Sequence, residues 1–148
     1  VNQVVTNSPE ETSALGRQWG TQAQPGWVIG LTGDLGAGKT QLVKGLAAGL
    51  EIHDHVHSPT FALVHQYTQG RIPLVHIDLY RLDTPSQVIG AGLEQFIYDP
   101  TIVVVIEWID RWFGGGAPSL AAGALYRNVR IEILGQNSRR ISYEDTRV

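Results

Sequence analysis

The stretch Gly33-Asp34-Leu35-Gly36-Ala37-Gly38-Lys39-Thr40 satisfies G-x-x-x-x-G-K-[ST] at every fixed position. That spacing suits one chemistry, the holding of a nucleoside triphosphate tail by main-chain amides. Amides turn inward on a phosphate only where side chains leave room. Gly33, Gly36 and Gly38, with the small Ala37, leave it. With the positive end of a following helix they form an anion nest. Lys39 reaches the β and γ phosphates as a point charge, and the Thr40 hydroxyl is a hard oxygen ligand for Mg²⁺. A glycine-rich turn that matches by chance is the bland alternative. A strand before and a helix after argue against it, and both are expected here.

Such a site also needs carboxylates, to help hold Mg²⁺ and to position the attacking water. Two acids qualify. Glu107 directly follows the apolar run Ile102–Ile106, at the mouth of a sheet. Asp78 lies in VHIDLYR, where strand alternation puts Val75, Ile77 and Leu79 on one face and His76, Asp78 and Tyr80 on the other. For each, the alternative is a strand-end carboxylate satisfied by a backbone amide or an arginine. Trp108, Trp112 and Phe113 follow the acidic strand, and Trp108 suits either core packing or the wall of a nucleotide site or partner surface. Arg139 and Arg140 form an adjacent basic pair. A solvated hairpin edge is one reading, and a nucleotide contact from Arg139 is the other. His53, His55 and His57 alternate as metal ligands on a strand would, but a solvated loop is the simpler reading.

The elements around these residues are legible from periodicity. Residues 3–6 read as a short strand. Ser8 is an N-cap, Pro9 the first helical residue and Glu11 the closing member of a capping box, for a helix to about Gly20 with Leu15 and Trp19 inward. A turn at 24–26 leads into a buried strand over 27–33. A second helix starts at Lys39 or Thr40, with Leu42, Val43, Leu46, Ala47 and Leu50 as its apolar stripe. Gly45 and Gly49 on that helix imply close packing on the sheet. Residues 51–60 read as a loop. Residues 61–82 read as an antiparallel hairpin turning at Gln69–Gly70. A weaker helix covers 86–98, and 101–108 is a strand buried on both faces, as in a parallel sheet. Residues 113–123 read as a loop, and the chain closes on a second hairpin. The fold class is α/β, P-loop NTPase-like. Its central sheet is mixed and mostly parallel, flanked by helices, with antiparallel hairpins.

At 148 residues the chain suits one domain, 1–148. Cysteine is absent, which removes thiol chemistry and disulfides. No basic region followed by an apolar one opens the chain, and no apolar run spans a bilayer, so a cytoplasmic protein with no membrane association is expected. Net charge is −3, and the 11 lysines and arginines are scattered, so any nucleic acid is expected to be held by a partner. Guanine reading by N-K-x-D is excluded, since neither Lys39 nor Lys44 can make that motif. A small-molecule kinase normally carries an arginine-rich lid, and residues 82–100 contain no arginine.

Four blocks stand in order: GDLGAGKT, SPTF (58–61), HIDLYRL (76–82) and IEW (106–108). Together they closely resemble the TsaE (YjeE-like) family, over roughly residues 1 to 145. Gly49-Leu50-Glu51 departs from the Gly-Leu-Gly common there. The resemblance implies a Mg²⁺-dependent ATPase, slow alone, that docks on a two-subunit threonylcarbamoyl transferase complex. Its hydrolysis would be needed for repeated N6-threonylcarbamoylation of adenosine 37 in tRNA, with tRNA met only through that complex. Carried over, Gly33 to Thr40 hold ATP, Thr40 and Glu107 hold Mg²⁺, and Thr60 senses the γ-phosphate. Asp78 orients water or supports the metal shell, and Trp108 lines the site or the docking surface. A P-loop small-molecule kinase and a nucleotide-gated binding module are the alternatives.

Overall fold

The computed structural model describes residues 1–33, 38–53, 64–79, 93–109 and 124–147. Its elements are β1 (Asn2–Thr6), α1 (Pro9–Gln22), β2 (Val28–Gly33), α2 (Lys39–Gly49), β3 (Val64–Tyr67), β4 (Leu74–Asp78), α3 (Glu94–Ile97), β5 (Val103–Glu107), β6 (Leu125–Ile133) and β7 (Arg139–Arg147). The strands form one 7-stranded sheet in the order β1-β7-β6-β2-β5-β4-β3. The inner strands β6, β2, β5 and β4 are parallel. Antiparallel β7 and β1 extend one side, and antiparallel β3 extends the other. The mixed, mostly parallel α/β sheet expected from the sequence is therefore present. Of the weak helix over 86–98, only the turn α3 lies within the described residues.

The alternation of each central strand builds two cores. Ile29 and Leu31 of β2, with Val103 and Val105 of β5, meet Leu42, Val43, Leu46 and Ala47 of α2 and Trp19 of α1. Val28, Val104 and Ile106 face the other way, with Val75, Ile77, Leu93 and Ile97. Five consecutive buried residues in both β4 and β5 mark strands covered on both faces. Beside this sheet α1 starts as its sequence requires. The Ser8 hydroxyl accepts from Glu11 N at 3.1 Å, and the Glu11 carboxylate accepts from Asn7 N at 2.8 Å, one residue earlier than the usual reciprocal bond.

The glycines of α2 pack on α1, not on the sheet. A Cβ on Gly45 would drive into the Ser13 carbonyl, and one on Gly49 into the backbone at Arg17 and Gly20. Gly16 and Gly20 of α1 face α2 just as tightly. The small residues face the neighbouring helix, and the stripe of larger ones faces the sheet.

Helix α2 ends in a Schellman motif. Glu51 N donates to Ala48 O at 3.0 Å, and Ile52 N donates to Ala47 O at 2.9 Å. The motif needs a left-handed residue after the cap, and Glu51 takes it, at φ 62°. This is the position where the sequence departs from Gly-Leu-Gly. A side chain in that conformation costs about 1 kcal/mol. Glu51→Gly is therefore expected to raise the melting temperature by roughly 2–4 °C in thermal denaturation. An unchanged or lower value would show that the exposed glutamate carries a compensating contact.

Two arginines are engaged inside the fold. Arg127 bonds both oxygens of Asp145, at 2.7 and 2.8 Å. Its guanidinium carbon lies 4.7–5.2 Å from the ring centroids of Trp19, Trp27 and Tyr143. Arg71 donates to the carbonyls of Gly20 and Ala23, where α1 ends.

Candidate nucleotide site

The central strands fix where the phosphate motif and the acidic strand end meet. β2 and β5 are parallel neighbours, with Leu31 opposite Glu107. Both chains leave the sheet at this level, β2 through Gly33 and β5 through Trp108. Gly38 caps α2 at φ 100° and ψ 15°, a left-handed geometry that glycine adopts without strain. Among the described residues no side chain caps the helix there, and the first turn of a helix is where an anion is favoured. A Cβ on Gly38 would stand 3.9 Å from the Arg139 Nε. The hairpin arginine thus lies beside the end of the motif.

Lys39 opens α2 and is only 6% exposed. Its Nζ donates to Gly33 O at 2.6 Å and stands 4.5 Å from the centroid of the Trp108 ring. Trp108 reaches that place because the chain reverses at φ 64° after Glu107. Leu31 O holds the reversal by accepting from Trp108 N at 2.8 Å and Ile109 N at 3.3 Å. Trp108 packs on the second core, and its ring also faces Lys39.

The two acids converge across the next strand pair. Asp78 of β4 stands opposite Glu107 of β5, and Leu79 N donates to Glu107 O at 3.1 Å. Both carboxylates are buried. Beside them the structure adds a residue that sequence reasoning gave no role. His76, fully buried, holds Glu107 Oε2 at 2.6 Å through Nε2. Alternation had put His76 on the face of Asp78. Nothing in the sequence said that β5 would lie beside that face. On the opposite side of β2, the Tyr126 phenol is buried against Gly30, and burial pushes its pKa up to about 12, so it is neutral there.

Gly33, Gly38, Lys39, Glu107, Trp108 and Arg139 are thus linked by contacts or by adjacent positions, with Thr40 half-buried in the first turn of α2 and Asp78 one strand away. Asp34, Leu35, Gly36, Ala37 and Thr60 lie outside the described residues, as do His55, His57, Trp112 and Phe113. His53 is exposed. Among the described residues no group of three or more acidic or histidine side chains could hold a metal by itself. The Thr40 hydroxyl, in the first turn of α2, and the Glu107 carboxylate, at the end of β5, are the hard oxygen donors that Mg²⁺ takes, and that ion would keep several waters and draw its remaining oxygens from substrate phosphates.

The family model described as "Threonylcarbamoyl adenosine biosynthesis protein TsaE" matches residues 6–141. A relative from Nostoc sp. (strain PCC 7120) is 50% identical over 105 residues, 69% of this chain and 64% of the relative. One from Bacillus subtilis is 43% identical over 103 residues, 70% of this chain and 63% of the relative. One from Mycobacterium leprae is 34% identical over 152 residues, 98% of this chain and 86% of the relative. All three are named "tRNA threonylcarbamoyladenosine biosynthesis protein TsaE". The matched stretch spans less than two thirds of the Nostoc and Bacillus proteins. The crystal structure of Bacillus subtilis YdiB superposes with a TM-score of 0.76 at 31% identity, covering 96% of this chain and 83% of that one. The P-loop NTPase-like fold, the four ordered motifs and a family model running from the end of β1 into β7 converge, and the chain belongs to the TsaE family.

Proposed function

We propose that residues 1–148 form a single P-loop ATPase domain. In this reading it binds and hydrolyses ATP as an accessory to threonylcarbamoyl transfer onto adenosine 37 of tRNA, docked on a two-subunit transferase complex in the cytoplasm. The observation that carries the ATPase reading is the junction of loop and acidic strand. The Lys39 ammonium rests 4.5 Å from the Trp108 ring, and Trp108 directly follows Glu107. A cation for the phosphates, bonded to the Gly33 carbonyl where β2 ends, and a carboxylate for the metal, on the last residue of β5, thus belong to the ends of adjacent parallel strands. The names of the relatives support the tRNA pathway.

In this reading the amides from Gly33 to Gly38, including Asp34, Leu35, Gly36 and Ala37, cradle the phosphates, and Lys39 neutralises the β and γ groups. Thr40 and Glu107 hold Mg²⁺. The bound ion would draw negative charge off the phosphate oxygens during transfer. Thr60 senses the γ-phosphate and Asp78 orients the attacking water. Trp108 and Arg139 line the nucleotide. Indirect contact with tRNA is supported by the net charge of −3 and by Arg71 and Arg127 being engaged within the fold.

The test is phosphate release from ATP by the protein alone, then with the transferase complex and tRNA. Slow turnover alone and clear stimulation on adding the complex are expected. Stimulation that never appears rejects the accessory role. Phosphate transferred to a metabolite, instead of released, turns the assignment to a kinase.

A further inference from the structure

The contact between His76 and Glu107 has no place in the account above. Glu107 is 3% exposed, and the imidazole that meets it is fully buried. An ionised carboxylate only accepts, so the shared hydrogen sits on Nε2 and is donated to Oε2 at 2.6 Å. The other ring nitrogen, Nδ1, is buried with no hydrogen-bond partner among the described residues. A histidine kept for stability alone would be expected to satisfy both nitrogens, because a buried polar atom left unpaired costs about 1–3 kcal/mol. Leucine or isoleucine fills such central-strand positions without that cost, and Leu74 does so two residues earlier on the same face. Among the described residues the imidazole has one polar contact, and that contact is the carboxylate at the mouth of the sheet.

We propose that His76 is a positioning residue for Glu107. By holding Oε2 it fixes the carboxylate rotamer and leaves Oε1 as the oxygen offered to a divalent cation. This rests on the reading of Glu107 as a magnesium ligand. The principle is that of a metal ligand oriented by a buried hydrogen-bond partner, whose loss typically weakens metal affinity by about 10–100-fold. Here the roles of the two residue types are reversed, with the histidine orienting and the carboxylate ligating. His76 lies two residues before Asp78 on one face of β4, so one strand supplies both the group that steers Glu107 and the second acid of the site.

The test uses His76→Leu, which removes the donor at similar volume, and His76→Gln, whose amide N–H replaces it. Binding of a non-hydrolysable ATP analogue is measured by calorimetry in EDTA and across a Mg²⁺ titration, with the melting temperature alongside. The leucine variant is expected to bind the metal-free analogue like the wild type and to melt somewhat lower, because it leaves the buried Glu107 Oε2 without its donor. Its Mg²⁺ midpoint should rise at least about 10-fold, and the glutamine variant should recover most of that shift. A leucine variant whose Mg²⁺ curve overlays the wild type overturns the proposal. So does an equal shift in the glutamine variant, which keeps the donor. If the leucine variant does not fold, His76→Asn, too short to reach Oε2, replaces it in comparison with His76→Gln. A raised midpoint in Asn alone supports the positioning role, and equal curves refute it. Wild-type protein that binds the analogue without any response to Mg²⁺ refutes the magnesium reading of Glu107 itself, and His76 then positions nothing.

Discussion

Lys39→Ala is expected to lose triphosphate affinity by about 10²–10³-fold, and ATP turnover with it, while remaining folded. Each charge-assisted hydrogen bond to a phosphate oxygen contributes about 1.5–3 kcal/mol, and an ammonium shared between the β and γ groups makes more than one. The side chain already stands in the site, on the Gly33 carbonyl and against the Trp108 ring, so little conformational entropy is lost when the anion arrives. Alanine leaves the loop amides in place but leaves the triphosphate charge without its fixed counter-charge. The fold should tolerate the change, since alanine is the better helix former in the first turn of α2 and one buried charge disappears. Lys39→Arg would not rescue, because a planar fork cannot replace a compact point charge at a closely fitted loop. Calorimetric titration with ATP, with a melting curve as control, checks the point. Wild-type binding and turnover in the alanine variant would falsify the role given to Lys39.

What was legible in the sequence and what was not follow from the range of the signals. β2, α2 and β5 could be read because their periodicity is local. Leu42, Val43, Leu46 and Ala47 face the core as their spacing says, and Val103 to Ile106 are buried on both sides. Glu107 and Asp78 could be nominated because strand ends hold functional acids in sheets of this kind. Their meeting could not be read, since it depends on β4 pairing with β5 across chain distant in sequence. His76 escaped notice for the same reason, although its face was known. The glycines of α2 were recognised as a sign of close packing and given the wrong neighbour. Periodicity tells which face is small, but not which element lies against it. Glu51 is the converse case. A departure from a family pattern was visible in one letter, and its backbone meaning became clear only from the left-handed φ.

The two carboxylates should separate binding from chemistry. Glu107→Gln and Asp78→Asn are both expected to bind ATP and to reduce turnover by about 10²–10³-fold, in the range that removing a positioned acid–base or charge-stabilising group commonly costs. The isosteric amides keep the volume of two buried sites, so packing is preserved. At Glu107 the amide oxygen can still accept from His76 Nε2, which keeps that side chain anchored and isolates the loss of charge from a loss of position. The variants should nonetheless differ. A metal ligand stripped of its charge raises the Mg²⁺ concentration needed for half-maximal turnover, whereas a residue that orients water lowers the maximal rate at any Mg²⁺ concentration. Glu107→Gln is therefore expected to shift along the Mg²⁺ axis as well as downward, and Asp78→Asn downward only. Single-turnover hydrolysis across a Mg²⁺ series reads both at once. Reversed patterns would exchange the two roles between β4 and β5, and normal hydrolysis in either variant would make that carboxylate a structural one. If Glu107→Gln alone shifts on the Mg²⁺ axis, the metal belongs to the strand that neighbours the phosphate loop, because β5 pairs directly with β2 and β4 does not.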